Sequence, residues 1–157
     1  MPAIWPVYAL SVLLALLLVY GAATDLRARI ISNRLNLAIA LLAPLWWWAN
    51  DVSLWPGVAL QIGVALAVFG VFCGLFAIGM MGGGDVKLLG ALALWLPIGA
   101  LLTLLVVMAL AGGLITLATV VHHRLANKEG QPEVPYGVAI ALAGLWVIGE
   151  PYFNPFS

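Results

Sequence analysis

The chain has 157 residues, 65% of them hydrophobic and 8% charged, with a formal net charge of zero and a mean hydropathy of +1.15. A soluble domain carries roughly 25% charged residues, so this composition excludes a water-facing surface and specifies an integral protein of the lipid bilayer. Zero net charge gives no basis for a nucleic-acid partner, and the lone Cys73 excludes an internal disulfide and a Cys-x-x-Cys zinc site.

The N-terminus, Met1-Pro2-Ala3-Ile4-Trp5, lacks the basic region of a signal peptide, and no Ala-x-Ala site closes the apolar run behind it. A retained first span is expected from about Pro6 to Ala23. It ends at Thr24-Asp25, and Leu26-Arg27-Ala28-Arg29-Ile30-Ile31-Ser32-Asn33-Arg34 follows as a basic loop. A second span runs from about Leu35 to Ala49 and closes on Trp46-Trp47-Trp48. The short link Asn50-Asp51-Val52-Ser53 leads to Trp55-Pro56 and a third span, about Val58 to Met81, which carries Gly63, Gly70, Gly74 and Gly79.

Next comes Gly82-Gly83-Gly84-Asp85-Val86-Lys87, three glycines followed by an acid and a base. The apolar run behind it, Leu88 to Leu96, is about half a bilayer at 1.5 Å per residue. Either it is a half-span, or it continues through Pro97 with a kink. A fifth span covers about Ile98 to Val121, the polar link His122 to Glu133 follows, and a sixth span covers about Val134 to Ile148, ahead of the tail Glu150 to Ser157. Small residues in span three and at Ala111-Gly112-Gly113 are expected to let helices approach closely. Cys73 reads as a small packing residue.

If the N-terminus is outside, the inner segments are 25–34, 82–87 and 122–133. They hold Arg27, Arg29, Arg34, Lys87, Arg124 and Lys128, all six basic residues of the chain, so the positive-inside rule gives one answer. Trp5, Trp46, Trp47, Trp48, Trp55, Trp95 and Trp146 then fall towards the outer ends of spans, where an amphipathic ring suits the interface. The expected fold is all-α: a polytopic membrane helix bundle of about six transmembrane segments, the fourth short, both termini extracytoplasmic, as a single domain over residues 1–157.

This topology puts Asp25 and Asp85 at one membrane edge. An ionisable residue at membrane depth costs about 2.5–3.5 kcal/mol on insertion scales and is a functional candidate by default. Two carboxylates that share one proton can hydrolyse an amide: the ionised one takes a proton from water while the protonated one donates to the carbonyl oxygen. Taken singly, each has a plainer reading, Asp25 as an ion-pair partner of Arg27 or Arg29 and Asp85 as a helix N-cap. Two acids on one face of one small bundle favour chemistry. His122 and His123 read as a solvated pair; a metal there would need Glu129 or Glu133 as further ligands. Asp51 and Glu150 fall in outer segments.

The pairing of Asp25-Leu-Arg-x-Arg-Ile-Ile-Ser-Asn33 with Gly82-Gly-Gly84-Asp85-Val-Lys87 resembles the type IV prepilin peptidases, the Gly-x-Gly-Asp class of intramembrane aspartyl proteases. Pro135-Tyr136-Gly137-Val138-Ala139 also resembles that family's final segment. The resemblance implies Asp25 and Asp85 as the catalytic pair. It makes Gly82, Gly84 and Lys87 motif positions, with Arg27, Asn33, Pro135, Tyr136 and Gly137 in support, and it implies no metal and no cofactor. Where many members read Ile-Pro-Asn, this chain reads Ile31-Ser32-Asn33. It also lacks the cysteine-rich cytoplasmic segment of larger members, which implies a peptidase without methyltransferase activity, similar to the small Flp (tight-adherence) pilus branch.

The implied substrates are prepilins or pilin-like proteins, cleaved at the cytoplasmic face of a bacterial inner membrane; substrate identity and oligomeric state stay open. A transporter or channel subunit, a non-catalytic pilus-assembly scaffold and a preflagellin-type peptidase are the alternatives. The chain shows no inverted repeat, and both acids lie at one interface instead of along a path.

Overall fold

A computed structural model describes residues 5–126 and 134–153. Lys128, Glu129, Glu133 and the first and last four residues lie outside the described residues. Six α-helices follow in order: α1 (Trp5–Ala28), α2 (Asn33–Ala49), α3 (Ala59–Ala77), α4 (Gly83–Ala93), α5 (Ile98–Leu125) and α6 (Tyr136–Phe153). An irregular turn, Leu54–Val58, leads into α3, and no strand occurs among the described residues. Trp5–Ala28, Leu54–Ala77 and Ile98–Leu125 are each long and apolar enough to cross a membrane. The protein is an all-α bundle of an integral membrane protein.

The short helix is the centre of the bundle. α4 has 11 residues, which makes it about 16 Å long. It packs against α2, α3 and α6, while α6 packs in turn on α1 and α5. Val86, Leu88, Leu89, Ala91, Leu92 and Ala93 are all buried, and a helix that is apolar all round belongs inside.

A helix that ends inside an apolar bundle leaves carbonyls that water cannot reach. Here side chains of neighbouring helices reach them. Gln61 Nε2 on α3 donates to Ala93 O at 2.7 Å and also to Leu96 O, and Trp47 Nε1 on α2 donates to Leu94 O at 2.7 Å. Pro97, in extended conformation, is the N-cap of α5. Of the two possibilities for Leu88 to Leu96, the half-helix is the one observed.

Three expectations are corrected. The first span does not stop at Ala23: α1 runs to Ala28, so Asp25 lies in a helix and not in a loop. Helical hydrogen bonding continues through polar residues until Arg29, at φ 55, turns the chain into the left-handed region. Second, Gly63, Gly70 and Gly74 are not packing positions within the chain, since a Cβ at each would meet nothing within 4 Å. Gly79, at φ 75, instead closes α3 in a Schellman motif, Gly79 N–H to Phe76 O and Met80 N–H to Leu75 O. Close approach does occur at Gly112, which faces Tyr136 and Ala139 of α6.

Third, Trp95 is no interfacial anchor. It is buried, donates from Nε1 to Ile39 O at 2.9 Å and stacks at 5.3 Å on Trp46. Trp5, Trp48, Trp55 and Trp146 do project outwards.

Candidate active site

Four chain segments meet at one end of the bundle: the last turn of α1, the α1–α2 link, the start of α4 and the start of α6. Asp25 on α1 is buried. Its Oδ2 accepts a hydrogen bond from Val138 N–H at 3.1 Å, and its carboxylate also accepts from Gly137 N–H. Both donors belong to the first turn of α6, where N–H groups have no i−4 helical acceptor and the dipole favours an anion. Asp25 therefore caps a helix 113 residues away in sequence.

Asp85 occupies the corresponding place on α4. Gly82, not Asp85, is the N-cap. Asp85 is the third residue of the helix and its carboxylate reaches back to accept from Gly82 N–H, the reciprocal half of a capping box. A Cβ on Gly82 would lie 2.9 Å from Asp85 Oδ2, so the glycine leaves the room the acid folds into. Two helix N-termini thus converge, each with a carboxylate seated on it, and the charges of Asp25 and Asp85 act on each other.

Ile31 is the wedge between them. It is buried, and a Cβ on Gly84 would lie 3.1 Å from its carbonyl oxygen and 3.2 Å from its Cβ. A Cβ on Gly137 would clash with Ile31 Cδ1 and lie 2.8 Å from Asp25 Oδ2. Gly84 and Gly137 are therefore close-approach glycines that let α4 and α6 close on the same isoleucine. Ser32 caps α2, its Oγ accepting from Leu35 N–H at 3.2 Å, so this loop gains order from a side-chain cap.

Lys87 Nζ donates to Asn33 Oδ1 at 2.8 Å, tying the start of α4 to the start of α2. One turn along α2, Asn36 Nδ2 donates to Gly84 O at 3.0 Å. Asn36 is buried, and its Oδ1 has no donor, an omission that costs about 1–3 kcal/mol when permanent. Among the described residues neither Arg27 nor Arg29 is ion-paired with Asp25; Arg29 acts on it through its charge, and Arg27 is exposed. Pro135 and Tyr136 open α6 beside Gly137, with Tyr136 against Gly112 of α5. His122 and His123 lie in the last turn of α5, and no cluster of three metal-ligating side chains occurs among the described residues.

Ile31, Asn36 and the Val138 amide were not singled out by the sequence. Ile31 lies within the motif over residues 25–33 without a role of its own, and Asn36 falls just inside the expected second span. Residues 12–117, more than half the chain, match the type IV leader peptidase family. The chain belongs to that family. It is accordingly a membrane-embedded protein of a peptidase family. The match spans both aspartates and ends before α6, so Pro135, Tyr136 and Gly137 join the site by geometry alone. No curated protein and no solved structure matches the chain.

Proposed function

We propose that this protein is an intramembrane aspartyl endopeptidase that removes the leader of prepilins or pilin-like proteins at the cytoplasmic face of a bacterial inner membrane. The observation that carries the reading is the convergence of Asp25 and Asp85 on two helix N-termini, within reach of each other's charge. One carboxylate takes a proton from water as the water oxygen adds to the scissile carbonyl carbon. The other gives its proton to the carbonyl oxygen. Collapse of the resulting diol returns that proton, breaks the C–N bond and delivers a proton to the leaving amine, restoring the shared-proton pair.

Family membership supports a leader peptide as substrate. Such a chain carries a short basic leader that stays in the cytoplasm and an apolar helix that lies in the bilayer. Its scissile bond then sits at the inner interface, and the distribution of the six basic residues supports the same side for this end of the bundle. Within the family the Flp (tight-adherence) pilus branch is the proposed assignment, with a preflagellin-type enzyme as the neighbouring one. Both termini are assigned to the outer side.

The test is mass spectrometry of co-expressed pilin-like proteins with wild type, Asp25→Asn and Asp85→Asn. Each substitution should abolish leader removal while the protein still folds and inserts. The double variant should be no worse than either single one, because groups acting as a unit are not additive. Serine-protease inhibitors and chelators should have no effect. Processing by either single variant at near the wild-type rate would restore the scaffold or transporter reading.

A further inference from the structure

Gly82-Gly83-Gly84-Asp85 opens α4 with three residues that lack a Cβ and so restrict their own backbone least. A carboxylate set on such a turn needs its backbone fixed from outside, and two residues of one short stretch do this. Ile31 lies against one side, where a Cβ on Gly84 would come within 3.1 Å of its carbonyl oxygen. Asn36, in the first turn of α2, bonds the turn directly, its Nδ2 donating to Gly84 O at 3.0 Å. Gly84 C and O lie in one peptide plane with Asp85 N and Cα. The bond from Asn36 therefore sets the plane from which the Asp85 side chain leaves, while Gly82 N–H holds the carboxylate at its other end.

Asn36 is a poor residue for stability. It is 5% exposed, with Leu35 and Ile39 buried beside it on α2, and its Oδ1 has no donor, which penalises the folded state. Nor does Gly84 O depend on the amide. It is a helical carbonyl, placed by α-helix geometry to accept from Leu88 N–H, and a carbonyl oxygen has two lone pairs. A leucine of the same branched shape would leave no orphan at either partner. The other side-chain donors on this helix act differently. Trp47 and Gln61 satisfy carbonyls at its far end, where helical N–H groups run out, and Lys87 ties its own side chain to Asn33. What Asn36 adds is the orientation of the Gly84-Asp85 peptide.

We infer that Asn36 is a positioning residue for Asp85: its amide holds the glycine turn so that the acid is presented to Asp25, at a cost in stability. The inference rests on the leader-peptidase reading and adds a residue of α2 to it. Asn36 is too buried to touch substrate, so its effect falls on the chemical step and not on binding.

The experiment measures steady-state leader removal and thermal unfolding of the full chain in one detergent. The probe substrate is a pilin-like protein with a basic leader and one apolar helix. Asn36→Leu should lower kcat about tenfold, the rate equivalent of one hydrogen bond, with KM unchanged and a Tm at or above that of wild type. Asn36→His should recover most of that loss, because a neutral imidazole still carries one N–H. Its extra ring atoms have room in the groove of about 470 Å³ that Asn36 lines. Ile39→Val removes one buried methylene three residues along, on the same face of α2. As the packing control it should lower Tm and leave kcat unchanged.

Unchanged kcat in Asn36→Leu would overturn the role. A Tm below wild type for that variant makes Asn36 part of the packing and overturns it also. Equal loss of kcat in the leucine and histidine variants, both at the wild-type Tm, shows that the donor is immaterial. A raised KM in place of a lowered kcat moves Asn36 to substrate binding and equally removes the positioning role. The two readings fail separately. Cleavage by wild type with Asn36→Leu unimpaired removes this role alone, whereas no cleavage by wild type removes the peptidase and the role with it.

Discussion

Gly137→Ala tests the most crowded point of the site with a single methyl group. The added Cβ would lie 2.8 Å from Asp25 Oδ2 and would also clash with Ile31 Cδ1. Neither neighbour yields freely, because Ile31 is wedged against Gly84 and Asp25 is held by Val138 N–H at 3.1 Å. Overpacking of this kind costs about 1–3 kcal/mol. Displacing the carboxylate also loses hydrogen bonds to a charged group worth about 1.5–3 kcal/mol. If the second cost falls on the reacting geometry, leader removal drops by roughly 10–100-fold at about 1.4 kcal/mol per factor of ten.

The assay is the rate of leader removal in detergent, set beside thermal unfolding of the same preparation. Adding Ile31→Val deletes the Cδ1 atom and relieves one clash but not the other, so Gly137→Ala with Ile31→Val should recover stability and not activity. Gly99→Ala, where a Cβ meets nothing within 4 Å, is the control and should behave as wild type. Wild-type cleavage by Gly137→Ala would refute the role of the α6 N-terminus in seating Asp25.

Two further outcomes are expected. Lys87→Arg keeps a donor for Asn33 Oδ1 and should retain most activity, whereas Lys87→Met should lose about tenfold, the lower end for a hydrogen bond to a charged group; equal loss in both would make the lysine geometry itself decisive. Because all six basic residues fall in the proposed inner segments, a cysteine at position 51 should be labelled from outside intact cells and one at position 126 should not.

Much of this protein is legible because it is so apolar. In a chain with 8% charged residues, Asp25, Asp85 and Lys87 stand out, and hydropathy marks the helices to within a few residues. Their ends are less legible, since a helix stops where its hydrogen bonds stop and not where the oil stops. α1 carries Asp25 inside its last turn, and α5 continues through His122, His123 and Arg124, the charge of Arg124 suiting a helix C-terminus. The contacts that build the site are the least legible part. That Asp25 would find the amide of Val138, or Gln61 the carbonyl of Ala93, follows from tertiary packing, and nothing local to either residue encodes it.

The seating of Asp25 on α6 also predicts how the protein tolerates losing it. In an apolar bundle, the N–H groups at the start of α6 have few acceptors available. Val138 N–H has a second acceptor in Pro135 O at 3.2 Å, but for Gly137 N–H the Asp25 carboxylate is the acceptor. Asp25→Asn keeps a carbonyl oxygen there and should unfold within about 1 kcal/mol of wild type, the typical net worth of one hydrogen bond. Asp25→Leu has similar bulk and no acceptor, so it orphans that donor at a cost of about 1–3 kcal/mol. Both variants lack the acid and should be equally inactive, so activity cannot separate them while stability can. Thermal unfolding in one detergent should rank wild type and Asp25→Asn together above Asp25→Leu. If Asp25→Leu is instead the most stable of the three, as when a bare carboxylate is removed from an apolar site, then Asp25 is not held by α6, and the two N-termini do not define the site.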